Sequence, residues 1–374
     1  MKMYIQPISN TELTEYLALP DLTQNDNHAL GMLYQQIVET IRAAHPQSDV
    51  RVYRRSPIVS VTDNYDRLLI AQDNISRSST YTHYVDEDHV LQTHTSAQIP
   101  QILRELAHDA TWDDVVILVP GLAYRRDVSD KKHVSQVHML DVWRVVRGSL
   151  ESLNHDDLLG LVKTVAQTAA PGWKLRIENS PHPYTDGGIE VNATDSDRDI
   201  EILECGLIKP QILREAGLDP STHNGWALGM GLDRLVMTLK DIPDVRYLRS
   251  ANPRIAAQMH DLALYREVSL QPAIRRDMSY SVPLTYVEED ISADIRAGLG
   301  KYVDALESVE ILNETPYGSL PATVKERLGI AETQKNILVR ITLRHLERTI
   351  TNKEADDIYA TVYKHINYGT GGYL

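Results

Sequence analysis

The apolar and polar positions of residues 25–265 predict strands joined by turns, with helices inserted between them. From His28 to Ala44 the apolar residues recur at helical spacing, so a helix is predicted there. Strands are predicted over residues 51–61, 68–70, 115–119, 123–127, 136–146, 173–177, 188–192 and 201–208, and further helices over 96–107, 149–170 and 229–240. The strand over 115–119 is predicted to end at Pro120–Gly121. This succession favours an α+β fold, an antiparallel sheet flanked by helices, over alternating strand–helix–strand units.

A second pattern starts near residue 266. It predicts strands over residues 278–282, 308–314 and 337–345, and helices over 288–300 and 351–366. Thr351 and Glu354 form a capping-box signature at the start of the last helix. A βαββαβ order over about 100 residues is typical of a ferredoxin-like domain. Three parts are therefore predicted: an N-terminal extension over 1–24, a large α+β domain over 25–265 and a ferredoxin-like domain over 266–374.

The composition is that of an ordinary globular protein with an acidic balance. The chain has 374 residues, of which 42% are hydrophobic and 24% charged, and its formal net charge is -14. This charge argues against a general nucleic-acid-binding coat but leaves room for a local basic surface. The single cysteine, Cys205, excludes an internal disulfide and a cysteine-based zinc site. No run of 18 apolar residues occurs, and residues 1–16 have neither signal-peptide nor transit-peptide character, so no membrane segment and a cytosolic location are expected.

Two long segments carry recognisable motifs. The segment from Pro120 to Val146 reads PGLAYRRDVSDKKHVSQVHMLDVWRV, and that from Gly225 to Leu248 reads GWALGMGLDRLVMTLKDIPDVRYL. They resemble motifs 2 and 3 of class II aminoacyl-tRNA synthetases, specifically the single-chain, mitochondrial-like phenylalanyl-tRNA synthetases. NYDRLLIAQDNISRS, QTHTSAQ, SPHPYTDGGIEV, EILECGLIKPQIL and RHLERTITNKEADDIY match in the same order. The resemblance covers about residues 25–374, and it implies a catalytic domain over 25–265 and an anticodon-binding domain over 266–374.

The resemblance implies a site for ATP. It places Arg125 of motif 2 between the α-phosphate and the amino acid carboxylate, and Arg234 of motif 3 at the far end of the triphosphate. A planar, permanently charged guanidinium suits the charge that develops on phosphate oxygens. Asp127, where the family uses Glu, would accept from the adenine amino group or fix the motif 2 loop. The remaining nucleotide-site positions are His133, Gly229 and Gly231, with Mg²⁺ bound by the phosphates and by Glu190 and Glu201.

The implied site for the substrate ammonium group departs from the family. His94 and Ser96 are kept, and Asp141 replaces a Glu. Met139 stands where Gln is expected, and a thioether cannot accept a strong hydrogen bond. One ammonium contact is therefore missing or supplied by another residue.

The implied pocket for the substrate side chain is also altered. His182 and Tyr184 stand where two Phe side chains normally grip the substrate ring, while Ala227, which limits size at the para position, is retained. Tyr84 is assigned to the same amino acid site. The retained Ala favours phenylalanine, and the polar replacements permit a tyrosine-like or other aromatic substrate. From the residues alone, His182 and Tyr184 are also compatible with a simple turn around Pro183.

Phe is absent from the whole chain, although 19 Tyr and 4 Trp are present. Positions where the family uses Phe carry other residues here, namely Tyr124, Val137, His182, Tyr184 and Leu228. We hypothesise that the chain evolved so that its own translation needs no phenylalanine-charged tRNA. In that case the altered pocket need not indicate a new substrate.

The third strand of the C-terminal domain has an apolar and a basic face. In ILVRITLRH, apolar residues alternate with Arg340, Thr342 and Arg344, and Arg348 extends the charge. A solvated sheet face is the ordinary interpretation of such a pattern, and the resemblance favours contacts of Arg340, Arg344 and Arg348 with tRNA.

The leading functional hypothesis is an ATP-dependent phenylalanine–tRNA ligase with ATP, Mg²⁺, an aromatic amino acid and tRNA as ligands. One alternative is a related synthetase for another aromatic amino acid or a non-tRNA acceptor. The other is a non-catalytic, tRNA-binding regulatory paralogue. The two arginines argue against the last alternative, and Met139 argues mildly for it. The pattern leaves both a monomer and a homodimer open.

Overall fold

The computed structural model describes residues 5–126, 130–148, 155–195, 198–267, 271–345 and 347–371. The chain divides into two compact units. The first comprises Met1–Arg125, Gln136–Ile242 and Ala256–Tyr265, and the second comprises Arg126–Ser135, Pro243–Ile255 and Arg266–Leu374. The chain therefore passes between the units more than once, whereas the predicted boundary lies at a single point, after residue 265.

The first unit is built on a seven-stranded sheet with helices around it. Its elements are α1 (Asn10–Leu17), α2 (Ala29–Ala44), β1 (Asp49–Val52), β2 (Ile58–Ser60), α3 (Val61–Asn64), β3 (His89–Leu91), α4 (Ile99–His108), β4 (Asp114–Tyr124), β5 (Gln136–Arg147), α5 (His155–Ala169), β6 (Lys174–Asn179), β7 (Thr185–Asp195), β8 (Arg198–Ile208), α6 (Pro210–Glu215), β9 (His223–Gly231) and α7 (Leu232–Leu239). The strand order is β1-β4-β5-β9-β8-β7-β6, and β2 pairs separately with β3. Only β1 and β4 run parallel among these pairs, so the predicted antiparallel sheet flanked by helices is confirmed.

Strand β4 does not end at Pro120 as predicted. Its pairing with β5 continues through Pro120 and Gly121 to Tyr124. On its other side β4 pairs with β1 only over residues 115–118. Pro120, which has no N–H group to donate, therefore lies beyond the β1 ladder, and the strand can continue without losing a hydrogen bond there.

The predicted strand over residues 68–70 is wrong. A 3-10 turn ends at Leu68, and Leu69 has a left-handed backbone conformation with φ of 58°. The Arg77 side chain donates to the carbonyl oxygen of Ile70 at 2.6 Å. The backbone here is bonded to a side chain and a turn instead of a neighbouring strand.

Helix α2 follows the predicted pattern closely. His28 is its N-cap, and the Nδ1 atom of His28 accepts from the backbone N–H of Leu30 at 3.1 Å. The side chains spaced at three and four residues are buried, as their periodicity predicts (Leu30, Leu33, Ile37 and Ile41). Of the predicted helix over 149–170, the structure describes the part from residue 155 onwards, and that part is helical to Ala169.

The second unit contains α8 (Pro253–Ala256), β10 (Ile274–Pro283), α9 (Glu288–Leu299), β11 (Leu306–Pro316), α10 (Ala322–Leu328), β12 (Gln334–Leu343) and α11 (Asn352–Ile366). The last residue of α8, Ala256, is assigned to the first unit. The strands form an antiparallel sheet in the order β10-β12-β11, and α9 packs beside α11. The residues buried between sheet and helices include Met278, Tyr280, Val339, Ile341 and Tyr359. This is the order of the first three strands of a ferredoxin-like domain.

Within the described residues, the fourth strand of the predicted ferredoxin-like pattern is not formed. After α11 the backbone N–H of Tyr368 reaches the carbonyl oxygen of Ser281 at 2.9 Å, but the next residues turn away from β10. Thr370 and Gly371 donate to the carbonyl oxygens of Gly329 and Leu328 at 3.1 and 3.0 Å. A Cβ on Gly371 would lie 2.1 Å from a backbone oxygen, so this close approach requires glycine.

The capping box predicted at α11 is half formed. The hydroxyl of Thr351 accepts from the backbone N–H of Glu354 at 3.2 Å. The Glu354 carboxylate binds Arg348 instead of returning to the cap. In the part of the chain that is described, no helix combines the length and apolar character needed to cross a membrane.

Candidate active site

One face of the central sheet has an open floor made by glycines. The register pairs Met139 with Gly231, Asp141 with Gly229, and Trp143 with Ala227. A Cβ on Gly231 would meet nothing within 4 Å, and one on Gly229 would meet Oδ1 of Asp141 at 3.8 Å. Since directly opposed residues project from the same face, the missing side chains leave space beside Met139 and Asp141. A ligand can therefore approach the backbone of β9.

Arg125 and Arg234 reach the same region from different elements. Arg125 follows β4, and its Nε donates to the carbonyl oxygen of Thr93 at 3.0 Å. Arg234 lies in the first turn of α7 with its side chain exposed. Both guanidinium groups are close enough to Glu201 to oppose the rise in the pKa of its carboxyl. The two arginines predicted to act on one nucleotide are thus brought to one side of the sheet.

Acidic side chains line the neighbouring strands. Glu178, Glu190 and Glu204 lie directly opposite one another across β6, β7 and β8. Burial, together with the charges of Glu204 and Glu190, raises the pKa of Glu201. Asn192 donates to Glu190 at 2.7 Å. Like charges directly opposed across strands are destabilising. Arg176 pairs with Glu178 and His182 with Glu204, which leaves Glu190 as the carboxylate of the row that faces no cationic side chain among the described residues.

Asp141 is held in a buried hydrogen-bond network. The Thr95 hydroxyl donates to Asp141 Oδ2 at 2.6 Å, and Trp143 Nε1 lies 3.4 Å from Oδ1. Burial raises the pKa of Asp141, although Ser96 also donates to the carboxylate. The ring of Tyr184 stacks on Trp143 with centroids 5.6 Å apart, and Ser96 hydrogen-bonds the Tyr184 hydroxyl. Ser96, Asp141 and Tyr184, which the sequence assigned to one site, therefore lie together.

The two ring nitrogens of the half-buried His94 are shielded from solvent and unpaired. Among the described residues no hydrogen-bond partner meets Nδ1 or Nε2, although the backbone of Asn64 lies near the ring. Burial and the positive charge of Arg125 lower the pKa of His94 to about 3. The imidazole is neutral at physiological pH and offers one donor and one acceptor to a ligand.

His182 forms an ion pair at the edge of the same face. Its Nε2 atom lies 3.2 Å from Oε1 of Glu204, and its ring centroid is 6.2 Å from that of Tyr184. The Glu204 carboxylate raises the pKa of His182, with help from the charges of Glu201 and Glu190. His182 is therefore more than a turn residue beside Pro183.

Two residues of this site were not predicted as functional. Glu204 stood inside the quoted segment EILECGLIKPQIL as part of a buried strand, and Trp143 stood inside motif 2. The signal in the sequence was a second acidic residue, after Glu201, in the mostly apolar segment EILECGLI, which indicates a side chain with a specific partner.

His138 joins motif 2 to motif 3 beneath the site. Its ring is fully buried, and Nδ1 lies 2.9 Å from Oδ1 of Asp233, at the start of α7. The backbone N–H of Leu22 donates to Nε2 at 3.1 Å, so Nε2 carries no proton and Nδ1 is the donor to Asp233. This contact fixes the turn from which Arg234 projects.

The remaining predicted site residues have contacts of their own or are not described. The Tyr84 hydroxyl donates to the carbonyl oxygen of Arg77 at 2.7 Å inside a buried structural network, so it is already occupied. His133 belongs to the second unit, where its Nδ1 lies 3.0 Å from Asp130. Asp127 lies outside the described residues. The three predicted tRNA contacts, also in the second unit, are each paired with a carboxylate: Arg340 with Asp277 at 2.8 Å, Arg344 with Glu307 at 2.5 Å and Arg348 with Glu354 at 2.6 Å.

The antiparallel sheet, the two arginines and the glycine floor form the arrangement expected of a class II synthetase core. Residues 20–259 match the family described as tRNA synthetases class II core domain (F), and the chain belongs to that family. The chain is 27% identical over 354 residues to the Arabidopsis thaliana protein named phenylalanine–tRNA ligase, chloroplastic/mitochondrial, covering 91% of this chain and 76% of that protein.

Two further relatives agree in name. A Drosophila melanogaster protein named probable phenylalanine–tRNA ligase, mitochondrial, is 26% identical over 409 residues, covering 94% of this chain and 85% of its own length. The phenylalanine–tRNA ligase alpha subunit of Acaryochloris marina is 30% identical over 195 residues, covering 52% of this chain and 56% of the subunit. The names of the two relatives that match most of this chain carry no subunit designation, whereas the relative that matches about half of it is named as a subunit.

The cytosolic location predicted from the sequence is wrong by this comparison. The relatives that match along most of the chain are named as chloroplastic/mitochondrial or mitochondrial proteins. The prediction rested on features that the first residues lack, and such an absence does not identify a compartment.

Proposed function

We propose that the chain is a phenylalanine–tRNA ligase. The observation that carries the proposal is the approach of Arg125 and Arg234 to Glu201 from two different elements, above the floor of Gly229 and Gly231. The names of the relatives that cover most of the chain support phenylalanine as the amino acid. The retained Ala227, buried opposite Trp143, supports an aromatic side chain of limited size.

In the first step the phenylalanine carboxylate attacks the α-phosphorus of ATP. A new P–O bond forms, the bond to the β-phosphate oxygen breaks, and pyrophosphate leaves with its electron pair. Arg125 neutralises charge at the α-phosphate, and Arg234 binds the distal phosphates. Asp127 and His133 are proposed to contact the nucleotide from the loop between β4 and β5. In the second step the terminal 2′-hydroxyl of tRNA attacks the acyl carbon, and AMP leaves.

Mg²⁺ fits the acidic side of the site as a companion of ATP. Among the described residues no group of three or more His, Cys, Asp or Glu side chains is arranged to hold a metal ion alone. Mg²⁺ in nucleotide sites is typically held by one or two carboxylates and by phosphates, and Glu190 and Glu201 can supply those carboxylates. Burial, and after it the charges of Glu204 and Glu190, raises the pKa of Glu201, and a cation beside these carboxylates would oppose that rise. The ion would neutralise charge on the phosphates.

The C-terminal unit is proposed to bind tRNA through Arg340, Arg344 and Arg348. Each of these guanidinium groups already faces a carboxylate. RNA phosphates must therefore compete with Asp277, Glu307 and Glu354, and the contact is expected to weaken as salt increases.

The test is ATP–pyrophosphate exchange with each amino acid, followed by charging of total tRNA. We expect exchange with phenylalanine and charging of one tRNA family. Replacement of Arg125 or Arg234 by Ala is expected to reduce exchange by about 100-fold or more, because removing a preorganised charge donor has that effect on kcat. Arg214→Ala, at an exposed arginine of α6, is the matched control and should leave exchange unchanged.

Each alternative has its own outcome. Exchange with another aromatic amino acid would replace phenylalanine as the substrate. Exchange without charging would indicate a non-tRNA acceptor, and neither activity would indicate a regulatory tRNA-binding protein.

A further inference from the structure

Glu204 stands at the centre of the site, across a glycine from Asp141. Asp141 of β5 and Glu204 of β8 each lie directly opposite Gly229 of β9, one on either side. Neighbouring strands are about 4.8 Å apart, so the two Cα atoms are separated by roughly 10 Å. Opposed residues share a face of the sheet, so both carboxylates project on the side where Gly229 has no side chain. The glycine thus opens a gap between two acidic groups.

The gap has the dimensions and charge for an ammonium group. A Cβ at Gly229 would make an ordinary contact with Oδ1 of Asp141 at 3.8 Å, so the space immediately above the backbone is free. Charge-assisted N–H···O contacts are about 2.8 Å long. A separation of roughly 10 Å between the two backbone positions accommodates one ammonium group with such a contact on either side.

The Glu204 carboxylate has one oxygen left for a ligand. Its Oε1 lies 3.2 Å from His182 and 3.4 Å from the hydroxyl of Ser180. No described residue hydrogen-bonds its Oε2, and the side chain is 37% exposed. His182 pairs with Oε1 and leaves this second oxygen available.

Other groups around the gap also lack a partner. Neither of the solvent-shielded ring nitrogens of the half-buried His94 is hydrogen-bonded within the described part of the chain. His94 immediately precedes Thr95 and Ser96, which bind Asp141. Met139 faces the guanidinium of Arg125 with its sulfur at 3.9 Å and offers no strong acceptor. The site therefore offers unpaired donors and acceptors to a polar ligand, but it lacks the strong acceptor that the family has at position 139.

We propose that Glu204 is a binding residue for the amino acid, holding its α-ammonium group together with Asp141 above Gly229. Glu204 thereby supplies the contact that Met139 cannot make. This inference rests on the proposed function, because it takes the bound molecule to be an α-amino acid with an aromatic side chain.

Binding measurements on two inhibitors test the contact directly. Phenylalaninol keeps the ammonium group, and 3-phenylpropionate lacks it. Glu204→Gln keeps the shape of the side chain but removes its charge, and it should weaken phenylalaninol binding in calorimetry by about 10-fold to 100-fold, the range for a charge-assisted hydrogen bond. Binding of 3-phenylpropionate should stay within about twofold. Glu215→Gln, at an exposed glutamate of α6 outside this row, is the matched control and should change neither.

A second substitution tests whether residues 139 and 204 can each accept a hydrogen bond from the substrate ammonium group. Met139→Gln restores an amide oxygen that accepts from an ammonium group. Introduced into Glu204→Gln, it should recover at least tenfold of a hundredfold loss, while thermal melting confirms that all variants fold. A purely structural role of Glu204 would not be rescued from β5.

Three results would overturn the inference. The first is that the wild-type chain does not bind phenylalaninol. The second is that Glu204→Gln weakens the binding of both inhibitors equally. The third is that Glu204→Gln changes the preference for phenylalanine over tyrosine but not the affinity for phenylalaninol. The last result would place Glu204 against the ring instead. Failure of the proposed function is distinguishable, because a chain that binds phenylalaninol through Glu204 but catalyses no exchange would contradict the ligase assignment alone.

Discussion

At the scale of single residues, tyrosine occupies positions where phenylalanine would suffice. The largest fully buried side chains include Tyr65, Tyr280 and Tyr359. Two of these use their hydroxyl groups: Tyr65 donates to Ser76 at 2.8 Å and Tyr359 to Ile341 at 2.9 Å. The hydroxyl of Tyr280 is buried and has no hydrogen-bond partner among the described residues, and burial raises its pKa. A buried, unpaired hydroxyl destabilises the folded state by about 1–3 kcal/mol.

We therefore expect Tyr280→Phe to stabilise the protein. Removing the unpaired hydroxyl without changing the ring should raise the free energy of unfolding by about 1 kcal/mol in urea denaturation. Tyr359→Phe is the control, since it removes a hydroxyl that is bonded and should lower the same quantity by about 1 kcal/mol. Equal destabilisation by both substitutions would show that the Tyr280 hydroxyl has a partner in solution.

The site residues could be predicted where a motif identifies them, and not where their role depends on register. Arg125, Arg234, Ser96, Asp141 and Tyr184 stand in recognisable motifs, and the structure brings the first two to one carboxylate and the other three into one network. The role of Glu204 depends on its position opposite Gly229, two strands from Asp141, and no local pattern of residues encodes that distance. For the same reason Tyr84 could not be assigned from spacing, because its hydroxyl is used by a backbone group nearby.

At the scale of elements, periodicity predicted most of the strands and the helices α2, α4, α5, α7, α9 and α11, whereas the short helices α1, α3, α6, α8 and α10 were not predicted. The central strand β9 was missed, because the glycines of HNGWALGMG weaken the strand pattern and resemble a turn. The same glycines, Gly229 and Gly231, leave the face of β9 open for a ligand. The extension of β4 through Pro120 was not predicted. Pro120 is tolerated because the pairing of β4 with β1 ends at Leu118, and the sequence of β4 does not show where its neighbour ends.

Two glycines of β9 provide a contrast that tests the open floor. A Cβ at Gly231 meets nothing within 4 Å, whereas one at Gly225 would lie 2.1 Å from the backbone oxygen of Arg144. We expect Gly231→Ala to fold with a stability within about 0.5 kcal/mol of wild type. Its KM for ATP should rise about 10-fold, since one misplaced methyl group in a binding site has an effect of that order.

Gly225→Ala is expected to fail at folding instead of binding, because the overlap involves backbone that cannot move aside. Circular dichroism and melting temperature separate the two outcomes. A Gly231→Ala protein with unchanged KM for ATP would place the nucleotide away from β9.

At the scale of the whole molecule, the absence of phenylalanine is the most unusual property of the chain. It extends from the site to the core, where Trp112 and Trp143 are fully buried and Tyr280 leaves its hydroxyl unpaired. A pressure on packing alone does not explain an unpaired hydroxyl where a phenyl ring would fit. Avoidance of the amino acid during translation does explain it.

The hypothesis makes a direct statement about synthesis. When cells are depleted of phenylalanine, production of this chain should continue at close to its normal rate while a phenylalanine-containing protein of similar length stops. Pulse labelling of both proteins in one culture measures the difference. Equal arrest of the two would reject the hypothesis, and depletion of tyrosine, present at 19 positions, is the control that should arrest both.

Glu307 in the second unit forms ion pairs with two cationic side chains. Its carboxylate lies 2.5 Å from Nε of Arg344 and 3.7 Å from Nζ of Lys131, and its backbone oxygen accepts from the N–H of Lys131 at 2.5 Å. A phosphate that captured Arg344 would leave the Glu307 carboxylate to Lys131 alone, so a bound anion and Glu307 compete for the same guanidinium group.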